Sequence, residues 1–100
     1  MGQLDHKVIL ITGAFGQAGQ SAVSMFLEKG AFVLATDYLD MNQSQKMMEL
    51  QVQYGEERLR YMKADIFEEN EVLAVMAEVE RHFGRLDGTY HTVYGCVEKA

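Results

Sequence analysis

Thr12-Gly13-Ala14-Phe15-Gly16-Gln17-Ala18-Gly19 follows an apolar run, precedes a helical pattern and carries glycines three residues apart. A strand that feeds straight into a helix needs a tight turn, and glycine supplies the backbone angles and close approach that a side chain would block. The helix behind such a turn offers unpaired N–H groups and the positive end of its dipole to an anion. The stretch reads as a phosphate-cradling turn. A nucleoside-triphosphate loop would need Lys followed by Ser or Thr after its last glycine, whereas Gln20-Ser21 follows Gly19, so phosphoryl transfer is not expected.

Working outward, Lys7–Thr12 is apolar on consecutive positions, which predicts a strand buried on both faces at the centre of a parallel sheet. Beyond the turn, Gly19, Ala22, Val23, Phe26 and Leu27 share one helical face, predicting a helix from Gln17 or Ala18 to Lys29 that Gly30 stops. Ala31–Asp37 is a second apolar strand, close enough behind the helix to be the parallel partner of the first. Asp40–Tyr54 predicts a second helix, with Met41, Met47, Met48, Leu50 and Val52 interspersed as core-filling residues and Gly55 closing it. Arg58–Ala64 alternates polar and apolar as an outer strand does, and Asp65-Ile66 ends it. Glu68, Glu69 and Glu71 open a third helix, whose stripe of Val72, Val75, Met76, Val79 and Phe83 runs to Gly84. Leu86 to Tyr94 reads as a fourth strand of weak hydrophobicity.

Four strands alternating with three helices predict an α/β fold: a three-layer Rossmann-type half-domain with a parallel sheet in the order 3-2-1-4. In that order the glycine turn, Asp37, Asp65 and the residues after Val93 all lie at the carboxyl ends of strands, where such sheets bind ligands. The expectation is a single dinucleotide-binding domain over residues 1–100, truncated relative to enzymes of this kind, which build a wider sheet.

A formal charge of −6 with only nine dispersed basic residues argues against nucleic acid and anionic membrane as partners. Cys96 is the only cysteine, so there is neither an internal disulfide nor metal-ligand spacing, as suits a reducing compartment. Met1–Lys7 is polar and the apolar run behind it is too short for a signal peptide, so the cytoplasm is the expected location. Gly2 does not signal myristoylation, because His6 stands where that motif wants Ser or Thr. His6, His82 and His91 are read as ordinary surface or element-end residues.

Asp37 lies 18 residues beyond Gly19 at the end of the second strand, where a carboxylate accepts hydrogen bonds from both hydroxyls of an adenine ribose and repels a 2′-phosphate. Its neighbour is Tyr38, and neither the turn nor this position supplies a cation to that phosphate. NAD is therefore favoured over NADP as the cofactor.

Taken together, Thr12-Gly13 with glycines at 16 and 19, Asp37, Ala64-Asp65-Ile66 and Phe83-Gly84-Arg85-Leu86-Asp87-Gly88 resemble, in order and spacing, the N-terminal part of a short-chain dehydrogenase/reductase. The resemblance covers about residues 5 to 88. It implies that Gly13, Gly16 and Gly19, with the backbone of Gln17 and Ala18, line the pyrophosphate. It further implies that Asp37 holds the ribose and that Asp65 and Ile66 flank the adenine. Two positions depart from the pattern: the larger branch of the family has glycine where Gln17 stands, and the fourth strand lacks the family's Asn-Asn-Ala-Gly ending, offering Thr92-Val93-Tyr94-Gly95.

The same resemblance calls for a Tyr that exchanges a proton, a Lys four residues later and a Ser on the substrate carbonyl. Four places beyond Tyr38, Tyr54, Tyr61, Tyr90 and Tyr94 stand Asn42, Arg58, Asp65, Tyr94 and Glu98, and Ser21, Ser24 and Ser44 belong to the first two helices. No catalytic residue is assigned, and a nucleotide-binding part unable to complete hydride transfer alone is expected. Two other readings stand beside it: a non-catalytic nucleotide-sensing or interaction module that self-associates through its uncovered sheet edge, and a nucleoside-binding methyltransferase-like domain. Thr12 before Gly13 and the Asp65-Ile66 pair favour the dehydrogenase over the latter.

Overall fold

The computed structural model describes residues 4–91. The chain runs β1 (Val8–Thr12), α1 (Gln17–Glu28), β2 (Phe32–Asp37), a 3-10 turn (Met41–Gln43), α2 (Gln45–Tyr54), β3 (Leu59–Lys63), α3 (Glu69–Phe83) and β4 (Gly88–His91). All four strands are parallel, in the order β3-β2-β1-β4. The predicted α/β half-domain is therefore the one observed. The expected fourth strand reached Tyr94, and its last three residues lie outside the described ones.

Every residue of β1 is buried, as its uninterrupted apolar run requires of a strand with neighbours on both edges and helices on both faces. On one face α1 and α2 cover Ile9, Ile11, Val33, Ala35 and Leu59, to which they add Val23, Leu27, Met47 and Leu50. On the other, α3 brings Val75 and Val79 against Val8, Leu10 and Leu34. β4 is covered least: Thr89, Tyr90 and His91 are all exposed.

Some boundaries depart from the periodicity, and the fourth strand starts at Gly88 rather than Leu86. The expected helix from Asp40 breaks at Ser44, because Asp40 and Gln43 cap a single 3-10 turn reciprocally and the Ser44 hydroxyl accepts the Met47 N–H at 3.1 Å, starting α2 afresh. Val52, counted with the apolar set, is 87% exposed. Arg58 stands just before β3 rather than within it. Its guanidinium donates to Leu27 O at 2.8 Å and Ala31 O at 2.9 Å, and lies over the rings of Tyr54 and Phe32. It thereby ties the C-terminal end of α1 to the entry of β2, where Leu27 O also accepts the Gly30 N–H at 3.1 Å and the negative end of the helix dipole favours a cation. On the opposite face Glu78 of α3 accepts from Arg81 at 2.7 Å and from Arg60 of β3 at 3.0 Å, and these bonds hold its carboxyl below the usual range.

Candidate functional site

The carboxyl ends of the strands form one edge, and the glycine turn is its centre. Gly13 has φ 67°, a left-handed conformation that most side chains resist, and it bends the chain off β1. Ala14 N–H still reaches Thr36 O at 3.1 Å, so the turn begins inside the sheet, and Gly16 N–H returns to Gly13 O at 3.2 Å. A Cβ on Gly19 would stand 2.0 Å from Gly13 O and 2.8 Å from Ala14 Cα, so only glycine lets α1 lie this close under the turn. Gly16 is different in kind: a Cβ there would meet Gly13 O at 3.6 Å, an ordinary contact.

Gly16 caps α1 with extended backbone and no side-chain hydrogen bond, and the first turn carries no acid. The amides of Gln17, Ala18 and Gly19 thus open the helix without an intrahelical acceptor or a capping oxygen, and Gly16, Gln17 and Ala18 are exposed. This is a set of donors with the helix dipole behind it, fitted to an anionic group. Gln20 turns inward and donates to Phe15 O at 2.8 Å, bracing the turn from within α1.

Asp37 ends β2 beside this turn and is only 8% exposed. Its Oδ2 accepts the Phe15 N–H at 3.0 Å and its Oδ1 accepts the Tyr38 N–H at 2.8 Å. Asp37, the acid expected at the ribose, is thus placed as the clasp between turn and sheet, with one lone pair of each oxygen directed by a backbone amide. Tyr61 of β3 completes the support: its ring stacks on Phe15 at 5.0 Å between centroids, and its hydroxyl donates to Asp37 O and Leu39 O. Burial, followed by the nearby Asp37 and Asp40 charges, raises the Tyr61 phenol well above its ordinary range, so it remains a donor. Tyr61 was not singled out from sequence, because nothing in its spacing distinguishes it from any other outer-strand aromatic.

Asp65 and Ile66 follow β3 on the same edge, half-buried. Asp65 is engaged locally: its Oδ1 accepts the Phe67 N–H at 2.9 Å, and its own N–H donates to Glu71 Oε1 at 2.5 Å, so the pair shapes the entry to α3. Lys63, in register with Asp37 on the adjacent strand, is a cation the sequence reading passed over; its Nζ lies 3.1 Å from Asp40 Oδ1. Ser21 and Ser24 line a groove of about 340 Å³ along the flank of α1, and Ser44 is buried as the cap of α2. Cys96, Tyr94 and the strand ending at Thr92-Val93-Tyr94-Gly95 fall outside the described residues. Among the described residues no group of His, Cys, Asp and Glu could hold a metal ion, and no helix is long and apolar enough to cross a membrane.

Residues 7–93 match the family model described as short chain dehydrogenase. Short-chain dehydrogenase reductase 3b of Arabidopsis thaliana is 31% identical over 85 residues, which is 85% of this chain and 32% of that protein. The structure of 3-ketoacyl-(acyl-carrier-protein) reductase from Brucella melitensis complexed with NADH superposes with a TM-score of 0.74 at 29% identity, covering 87% of this chain and 34% of that one. NADPH-dependent 3-quinuclidinone reductase from Rhodotorula rubra superposes with a TM-score of 0.74 at 28% identity, over 86% of this chain and 32% of that one. The chain thus spans about a third of the length of each.

Proposed function

The chain belongs to the short-chain dehydrogenase family, and from that premise we propose that it forms the NAD-binding part of an oxidoreductase of this family and does not complete hydride transfer by itself. The observation that carries the reading is the uncapped start of α1 behind a turn that only glycine at 19 permits, with the Asp37 carboxylate held beside it. The amides of Gln17, Ala18 and Gly19, with Gly13 and Gly16 shaping the approach, receive the pyrophosphate. Asp37 keeps a lone pair on each oxygen for ribose hydroxyls, and Asp65 and Ile66 border the adenine. When bound, the nicotinamide supplies the hydride chemistry; this chain's residues bind and orient the adenosine half.

NAD is favoured over NADP because Asp37 repels a 2′-phosphate and Lys63, the neighbouring cation on this edge, is paired with Asp40. Both nicotinamide cofactors occur among the solved relatives, so the choice is tested directly. Calorimetric titration of the full chain with NAD and NADP should give saturable heat for NAD, weakened at least tenfold by Asp37→Ala. A folded sample that binds neither, or NADP better, would overturn the reading.

Because no tyrosine in the sequence is followed four residues later by lysine, NADH production from alcohols is expected to be absent. Sustained turnover by the purified chain would contradict that. The exposed β4 edge supports a further element of the proposal, self-association of the chain through that edge. A cytoplasmic location accords with the cysteine usage.

A further inference from the structure

In a sheet of order β3-β2-β1-β4 the crossover direction reverses between β1 and β4, and ligands of such sheets sit beyond the carboxyl ends at that reversal. Thr12 ends β1, and its register partner is His91, the last described residue of β4; their Oγ1 and Nδ1 lie 3.0 Å apart. Thr36 of β2 is in register with Thr12, so Thr36, Thr12 and His91 form a row of polar side chains across three strands. His91 is exposed, and Thr12 leads directly into Gly13. We infer that His91 is a positioning residue for the dinucleotide: through Thr12 it pins the start of the glycine turn to β4, and its protonation strengthens binding of the anionic cofactor. This rests on the proposed dinucleotide site and adds a proton-linked contact to it.

The chemistry follows from the ring. Neutral imidazole can accept the Thr12 O–H at Nδ1 or donate to Thr12 Oγ1, depending on its tautomer. Imidazolium carries hydrogens on both nitrogens, so Nδ1 can only donate and Thr12 Oγ1 must accept. The bond survives protonation as a charge-assisted one, and a positive charge appears beside the turn. Few charges compete there among the described residues. β1 ends in neutral Thr12, the turn and the first turn of α1 carry none, and the adjacent residue of β4, Tyr90, packs edge-on against Phe26. Asp37 lies one strand further and is held by the Phe15 and Tyr38 amides, while Lys63, Asp40, Asp65 and Glu71 belong to the β3 side of the edge.

Protonating the ring sets a cation beside an anionic cofactor, so NAD affinity should rise roughly two- to tenfold between about pH 8 and 5.5 at low salt. His91→Asn should flatten that rise while keeping a side chain able to bond Thr12. By reciprocity, a cofactor that binds the protonated ring more tightly makes that ring easier to protonate.

The test is a pH titration of the full chain followed by NMR, with and without NAD, on the wild type and on His91→Asn, with His82→Gln as a control at the other end of the sheet. Without NAD, the Thr12 and Gly13 amide signals should move with the His91 ring midpoint in the wild type and in His82→Gln, and not in His91→Asn. With NAD, the midpoint should rise. Amide signals indifferent to His91 protonation would overturn the coupling whether or not NAD binds. Coupled amides with no NAD binding would overturn the dinucleotide reading instead, and NAD affinity flat with pH would overturn the proton link.

Discussion

Gly19 and Gly16 look alike in the sequence and differ in what surrounds them. Since a Cβ on Gly19 would press to 2.0 Å from Gly13 O, Gly19→Ala should destabilise the chain by about 3 kcal/mol in urea unfolding and weaken NAD binding. Gly16→Ala, with its Cβ at 3.6 Å, should cost under about 1 kcal/mol, the loss of a favourable cap residue. Equal costs would mean that the turn relaxes around either side chain. Tyr61 gives a pH signature at the same scale. Its phenol is raised in the folded chain, so its contribution is fully present below the unfolded value near pH 10 and is lost as pH rises through the folded one. Thermal unfolding should therefore show stability falling above roughly pH 10, with that part of the fall absent in Tyr61→Phe. The same substitution keeps the Phe15 stack and removes the bonds to Asp37 O and Leu39 O.

At the scale of elements, α1 is held at both ends by groups from elsewhere in the chain. Its start meets the turn that Asp37 anchors, and its end delivers Leu27 O to Arg58. Arg58→Met retains the apolar stem over Tyr54 and Phe32 but deletes the donors to Leu27 O and Ala31 O, so it should cost about 2 kcal/mol in chemical denaturation. Hydrogen exchange should speed up selectively in the last turn of α1, and uniform acceleration throughout the sheet would argue against a local clasp. Alternation in Arg58–Ala64 placed this arginine in a strand, since periodicity reports which face a residue takes and not which distant carbonyls its side chain reaches. The same limit explains α2: composition marked a helix, whereas the break at Ser44 depends on a capping geometry spread over several residues.

For the whole molecule, α3 covers one face chiefly through Val75 and Val79, leaving Leu73 60% and Met76 40% exposed, and among the described residues β4 is the edge strand, with Tyr90 43% exposed. If the β4 edge pairs chains, light scattering should show an average mass rising with concentration above the 11.3 kDa monomer. A charge on that edge, Thr89→Lys, should restore the monomer. A wild type that stays monomeric at all concentrations removes this part of the proposal. What the sequence by itself determined is the alternation of strands and helices, the parallel order 3-2-1-4 and the positions at the carboxyl edge of the sheet. The alternation follows from local periodicity and glycine spacing, which need no long-range contact to be read, and the order is the one that doubly wound sheets of this kind adopt. Only the tertiary structure decided that Asp37 fastens the turn, that Tyr61 supports it from β3, that Arg58 closes α1, and that His91 meets Thr12. Each of these is a bond between residues 22 or more positions apart, whose distances are set by how the elements pack together.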